Sequence, residues 1–199
     1  MRCDRESFVI GVFDTTYSCN GFASYKEGIL FARHLIDLVA KDKDIQILFK
    51  EKKDRKFQRL MDPVSAPDLL SVYDEMDKHP RIKVLSRFAN TGEIMDSSDF
   101  VVSFPFTSTT FEALSRRIPA IWHDPMQCYK DTVYGKLGGV MSHGFDQLWD
   151  IVQFVKLYSS EKFFLSLDLS SDLMDPFQDR KSVDRFRQLL CDATYSRHD

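Results

Sequence analysis

The stretch Asp99-Phe100-Val101-Val102-Ser103-Phe104-Pro105-Phe106-Thr107-Ser108-Thr109-Thr110-Phe111-Glu112-Ala113-Leu114-Ser115-Arg116-Arg117-Ile118-Pro119-Ala120-Ile121-Trp122 decides the fold. Phe100 to Phe104 is an apolar run without polar alternation, the pattern of a strand covered on both faces. Thr109 to Arg117 predicts a helix. Pro119 to Trp122 predicts the next strand, with proline at its first residue, where the missing N–H is tolerated. A strand, a helix and a second buried strand in so few residues make a βαβ unit of a parallel sheet.

The same alternation extends outward in both directions. Toward the N-terminus lie strands at Phe8–Phe13, Ile45–Phe49 and Ile82–Leu85. Between them are helices at Tyr25–Ala40, from Ser65 onward with Pro67 in its first turn, and at Thr91–Ser97. Toward the C-terminus, Gly138–Met141 is expected to be a short strand, followed by helices at Asp146–Tyr158 and Ser182–Cys191. The acidic connection Asp168–Asp179, with Phe177, joins those two helices. The expected fold class is α/β: a single Rossmann-like doubly wound parallel sheet of about six strands with helices on both faces. One domain is expected over residues 1–199, with 160–199 a helical tail packing back on it.

Composition excludes several classes. The 199 residues are 43% hydrophobic and 29% charged, enough apolar surface to rule out disorder. The net charge of -3 gives no global attraction for nucleic acid, so none is expected as a partner. No apolar run approaches the roughly 18 residues of a membrane helix, and the charged start at Arg2, Asp4, Arg5 and Glu6 does not resemble a secretory leader. The four cysteines at 3, 19, 128 and 191 form no paired motif and fit a reducing compartment, so a cytoplasmic location is expected, peripheral at the inner membrane face in a full-length protein.

In sheets of this class ligands bind beyond the carboxyl ends of the strands. That nominates the loops beginning at Asp14, Lys50, Ser86, Pro105, His123 and His143. The Pro105 loop says most, because Thr107, Ser108, Thr109 and Thr110 place four hydroxyl residues at a helix N-terminus, where free amides and the helix dipole favour phosphate. Lys50, Lys52 and Arg87 are expected to bring positive charge to the same place. A structural alternative stands beside this one: Thr109 and Glu112 have the spacing of a capping box. For Asp14-Thr15-Thr16, contact with a sugar and a plain hydroxyl-rich turn are equally compatible with the residues. The basic run from Lys50 to Arg59 has the pattern of a solvated helix face beyond its first members.

Residues 97–121 resemble the donor-binding half of GT-B glycosyltransferases: an acidic residue before an apolar strand, a small polar loop, Glu112-Ala113, and Pro119 opening the next strand. Gly138-Gly139-Val140 and Phe145-Asp146-Gln147-Leu148 are similar to that family's closing strand and helix start, and the order of elements matches over roughly 8–160. The Ser/Thr-rich loop looks like that of bacterial surface-polysaccharide enzymes. The resemblance implies that Ser108 and Thr109 approach the donor diphosphate, that Glu112 accepts hydrogen bonds from the ribose hydroxyls, and that Ser86, Arg87 and Phe88 flank the nucleobase. It implies a nucleotide sugar as ligand, no metal or other cofactor, and an acceptor saccharide held by an N-terminal domain not contained in this chain. A single such domain is expected to bind donor without turning it over, and its catalytic residues are not assigned. One departure is clear: where the family has glycine before the proline, this chain has Arg117-Ile118.

The histidines have no metal-ligand spacing, and no metal site is expected. His123-Asp124 is either an acid/base pair or a polar loop, and His143 lies near the presumed ligand edge. Competing functions are a nucleotide-sugar 2-epimerase-like domain and a non-catalytic interaction module of the same fold, the missing glycine keeping the latter open. A receiver-like signalling domain fits poorly, because the first strand ends in a single Asp14 and the third in Leu85-Ser86-Arg87. A homodimer through exposed apolar surface is a further partner consistent with the sequence.

Overall fold

A computed structural model describes residues 7–18, 21–136, 138–167, 181 and 183–188. Six parallel strands form one sheet: β1 (Phe8–Phe13), β2 (Ile45–Lys50), β3 (Ile82–Leu85), β4 (Phe100–Ser103), β5 (Ala120–Asp124) and β6 (Met141–His143). Their spatial order is β3-β2-β1-β4-β5-β6. Chain order reverses between β1 and β4, which pair directly, Ile10 with Phe100 and Phe13 with Ser103. This is the switch-point arrangement in which two neighbouring loops diverge to opposite faces and leave a crevice.

Helices cover both faces unequally. On one side lie α1 (Tyr25–Lys41), α3 (Ala66–Lys78), α6 (Gly144–Leu157) and α7 (Ser160–Ser166), whose Phe31, Leu35, Leu69, Tyr73, Leu148, Val152 and Phe163 meet Ile10, Val12, Phe100 and Val102. On the other side α4 (Thr91–Asp96) and α5 (Ser108–Ser115) bring Ile94, Met95 and Ala113 against Phe13, Val101 and Ala120. The strand period of two sends Phe100 and Val102 to the first face and Val101 to the second, so both faces of β4 must be apolar. The remaining helix, α2 (Arg55–Met61), lies within the basic run and exposes most of its side chains.

Several expectations shift. The sixth strand is Met141–His143 and not Gly138–Met141, because Gly139 takes φ 82 and turns the chain there. Helix α5 begins at Ser108, with Thr107 in the N-cap position but making no side-chain cap bond, so Thr109 and Glu112 do not form a capping box. It ends in a Schellman motif: Ile118 N–H donates to the Ala113 carbonyl and Arg117 N–H to the Leu114 carbonyl, both at 3.0 Å. The left-handed residue this motif requires is Arg117, at φ 62. The tight turn of the resembled family is therefore kept without its glycine, and the guanidinium lies over the Phe164 ring, 5.4 Å from its centre.

Residues Met1–Asp168 make one compact unit and Leu169–Asp199 a second. Helix α7 belongs to the first and buries Phe163 in its core. In the second, residues 183–188 are helical, inside the helix expected at Ser182–Cys191; the Asp168–Asp179 connection lies outside the described residues. Among the described residues no helix is long and apolar enough to cross a membrane.

Candidate functional site

A cavity of about 290 Å³ opens at the carboxyl ends of β1, β2 and β4, at the switch point. Its β1 wall is Phe13, Asp14 and Thr15, and its β2 wall is Lys50, Glu51 and Lys52. Thr107, Ser108, Thr109 and Glu112 close it from α5, and Thr91 from α4. Six of the sequence-nominated residues, Asp14, Lys50, Thr107, Ser108, Thr109 and Glu112, thus share one space although they come from three separate loops. Arg87 and Phe88 do not line it. They follow the edge strand β3, exposed, with the Arg87 guanidinium 4.5 Å from the Phe88 ring centre.

The α5 wall is built by a strained turn. Phe106 has φ 62, a conformation costing an aromatic residue about 1–3 kcal/mol. Its ring is held among Phe22, Tyr129 and Tyr134, at 5.2, 5.2 and 5.5 Å between centres. Trp122 Nε1 donates to the Thr107 carbonyl at 3.0 Å and pins the next residue. The Thr107 side chain does not cap the helix; its hydroxyl donates back to the Phe104 carbonyl at 2.9 Å. Thr109 Oγ1 lies 2.8 Å from Ser103 Oγ and 3.1 Å from Thr107 Oγ1. The hydroxyls are therefore ordered among themselves while the first-turn amides of α5 lack a side-chain cap. Ser108 is exposed, whereas Thr110 turns inward and donates to the Ile121 carbonyl at 3.2 Å, a structural role.

Charge around the cavity is mixed. Lys50 Nζ donates to Thr91 Oγ1 at 2.9 Å. Partial burial, then the neighbouring Lys52, lowers its pKa below the ordinary lysine value, against the opposing pull of Glu112. Thr91 carried no sequence signal beyond its place after Asn90, which caps α4 through its side chain. Glu112 pairs with Arg116 at 3.3 Å on a largely exposed surface, a contact worth little by itself. Asp14 is buried, with Oδ2 accepting from the Tyr73 hydroxyl at 2.7 Å and Oδ1 without a partner of hydrogen-bonding geometry. Burial raises its pKa from 3.8 to about 6, more than the Tyr73 and Tyr17 hydroxyls lower it.

The His123-Asp124 pair is resolved differently. His123 is fully buried, its Nε2 2.8 Å from His34 Nδ1 and its Nδ1 2.9 Å from Ser142 Oγ, so it is a core histidine out of reach of the cavity. Asp124 accepts from the Cys128 and Tyr129 amides, and from His143 if Nδ1 carries its proton, 2.9 Å away. It anchors the loop after β5. Among the described residues no group of histidines, cysteines and carboxylates has the arrangement of a metal site.

Solved structures with this fold include Anabaena Alr3699/HepE in complex with UDP and glucose, at 16% identity and TM-score 0.58, covering 96% of this chain and 49% of that one. A UDP-forming trehalose-phosphate synthase from Burkholderia xenovorans matches at 13% identity and TM-score 0.59, covering 94% and 44%. The C-terminal domain of the Francisella tularensis group 1 glycosyl transferase LpcC matches at 14% and 0.51, covering 81% of this chain and 80% of that domain. The expected half of a GT-B architecture is therefore the fold observed, and the chain spans under half the length of the first two of these structures. No curated protein matches the sequence. A family model described as polysaccharide biosynthesis PFTS motif protein matches residues 2–152. Pro105-Phe106-Thr107-Ser108 is that tetrapeptide, and it forms the strained turn into α5. With the match running through every strand of the sheet, the chain belongs to the polysaccharide biosynthesis PFTS motif family.

Proposed function

We propose that this chain is the nucleotide-sugar donor-binding part of a glycosyltransferase acting in cell-surface polysaccharide synthesis. The observation that carries it is the meeting, around one cavity, of the uncapped α5 N-terminus, the Thr107, Ser108 and Thr109 hydroxyls and the Lys50 and Lys52 ammonium groups. Backbone donors, hydroxyl donors and two cations suit a diphosphate, whose oxygens only accept. Glu112 on the second turn of α5 is the carboxylate for a vicinal diol such as a ribose, which would displace Arg116. The neighbour solved with UDP and glucose and the family's role in polysaccharide synthesis support the same ligand class. The acceptor saccharide is assigned to a domain beyond this chain, and chemistry to the two together, at the cytoplasmic side of the membrane.

The test is thermal unfolding with UDP, GDP, CDP, CMP, ADP and inorganic phosphate. A nucleotide at 100 times its Kd adds about 2.7 kcal/mol. Thr109→Val and Lys52→Ala are expected to remove most of that gain, and Glu112→Ala to weaken nucleotide more than phosphate. Stabilisation by none of the nucleotides, or by all of them equally in the variants, would overturn the proposal.

A further inference from the structure

A second cavity of about 290 Å³ lies between the β1–α1 loop and α2, separate from the one described above. The chain passes directly from one to the other. Phe13 to Thr15 and Lys50 to Lys52 face the first, and the next residues, Thr16 to Ser18 and Lys53, face the second. The two cavities therefore share the loop after β1 and the segment after β2 as their common border.

The lining of the second cavity has its own chemistry. Three aromatic residues, Tyr17, Tyr25 and Phe57, supply its apolar walls, with the Thr16 and Ser18 hydroxyls beside them. Tyr17 is packed so closely on α1 that a Cβ at Gly28 would sit 2.8 Å from its ring, which fixes the wall in place. Gln58 also lines the cavity. It is 6% exposed; its Nε2 donates to the Lys53 carbonyl at 3.4 Å, while its Oε1 has no partner. Buried acceptors are nearly always satisfied, so an unpartnered one on a residue that lines a cavity marks where a donor is owed. Phe57, by contrast, is 47% exposed at the mouth, with Lys53 Nζ 5.9 Å from its ring centre.

We propose that this cavity binds a single pyranose ring. Such a ring presents an apolar C–H face to aromatic walls and hydroxyl donors to an amide oxygen, and it is small enough for a cavity at the lower end of the ligand-site range. The assignment deepens the donor-binding proposal and rests on it, because the cavity borders, through the loop after β1 and the segment after β2, the one proposed to hold the diphosphate of a glycosyl donor. The same chemistry comes from two sources, the sugar being transferred and the terminal sugar of an acceptor, and binding experiments separate them.

Titration calorimetry of the 199-residue chain with UDP and UDP-glucose is paired with saturation-transfer NMR on the methyl glycosides of glucose, galactose and N-acetylglucosamine. Wild type is compared with Phe57→Ala, an exposed position that leaves the core intact, and with Gln58→Leu. If the transferred sugar occupies the cavity, UDP-glucose binds about tenfold tighter than UDP, and Phe57→Ala erases the difference without changing the Kd for UDP. If the acceptor sugar occupies it, UDP and UDP-glucose bind alike, and one methyl glycoside shows saturation transfer that both variants abolish. The proposal falls if neither signal is seen, if the variants leave the signal intact, or if Phe57→Ala weakens UDP itself, which would make this the nucleobase pocket. Failure of UDP to bind wild type counts against the donor-binding proposal alone, and the glycoside arm then decides this one.

Discussion

Two buried polar groups at the carboxyl rim of the sheet were treated by the fold in opposite ways. His123, in β5, has a partner for each ring nitrogen, His34 and Ser142, and burial pushes its pKa well below the ordinary 6.5. Asp14, just after β1, has a partner for one oxygen only, and burial pushes its pKa up to about 6. The first is a closed network in the core, where satisfied polar groups specify packing. The second borders the candidate diphosphate cavity, where an unsatisfied carboxyl is tolerated at the expense of stability. A polar residue at a strand end is thus a candidate site residue when the fold leaves it incomplete beside a cavity.

Breaking the closed network carries the largest expected effect. His123→Leu strands His34 Nδ1 and Ser142 Oγ without partners and is expected to cost about 3 kcal/mol in urea unfolding. A loss below about 1 kcal/mol would show that the histidine network is not what holds this end of the sheet.

Asp14→Asn has the opposite sign. With a folded pKa of about 6 against 3.8, the native state holds the extra proton between those values, so the wild-type contribution falls as pH rises from 3.8 through 6. At pH 7.5 the shift corresponds to about 3 kcal/mol of destabilisation, which asparagine removes. Unfolding curves at pH 4 and pH 7.5 are expected to differ little at the first and to favour the variant at the second. A variant less stable at pH 7.5 would mean the carboxylate is satisfied after all.

The two groups also tilt the pH profile in opposite directions. His34 and His123 both have pKa values lowered by burial, so their stability is full above 6.5 and is lost as pH falls below it. In Asp14→Asn only the histidine slope is left of this pair, and stability between pH 4 and 6.5 is expected to climb more steeply than in wild type. Parallel profiles would remove Asp14 from the account. The smallest effect is at the other end of α5. Arg117→Gly relieves a left-handed side chain but loses the Phe164 contact and adds unfolded-state entropy, for a net gain of about 0.5 kcal/mol in thermal unfolding.

Much of this fold could be read from apolar runs. Phe8–Phe13 and Ile82–Leu85 are strands residue for residue, since a strand buried on both faces has few alternatives. The hydroxyl loop was visible for a similar reason, standing where a strand meets a helix. The helix start was not. Thr109 and Glu112 carry a capping-box spacing, yet Phe106 in its left-handed turn starts the helix earlier, and only the aromatic cluster around Phe106 makes that turn affordable. The burial of His123 was equally hidden, because its partners His34 and Ser142 are distant in sequence. So was Thr91, whose role comes from the Lys50 side chain reaching it from another strand.

By itself the sequence determined the alternation of strands and helices, the parallel sheet that follows from it, and the place of the hydroxyl-rich loop that begins at Pro105. These are local properties, set by periodicity and by turn chemistry within a few residues. The tertiary structure alone decided that β1 lies beside β4. That pairing sets Asp14 and, through β2, Lys50 against Thr107 to Thr109, and leaves a second cavity behind the same loop. Strand order depends on which buried faces pack together over the whole chain, and a repeating apolar pattern, the same in every strand, does not encode it.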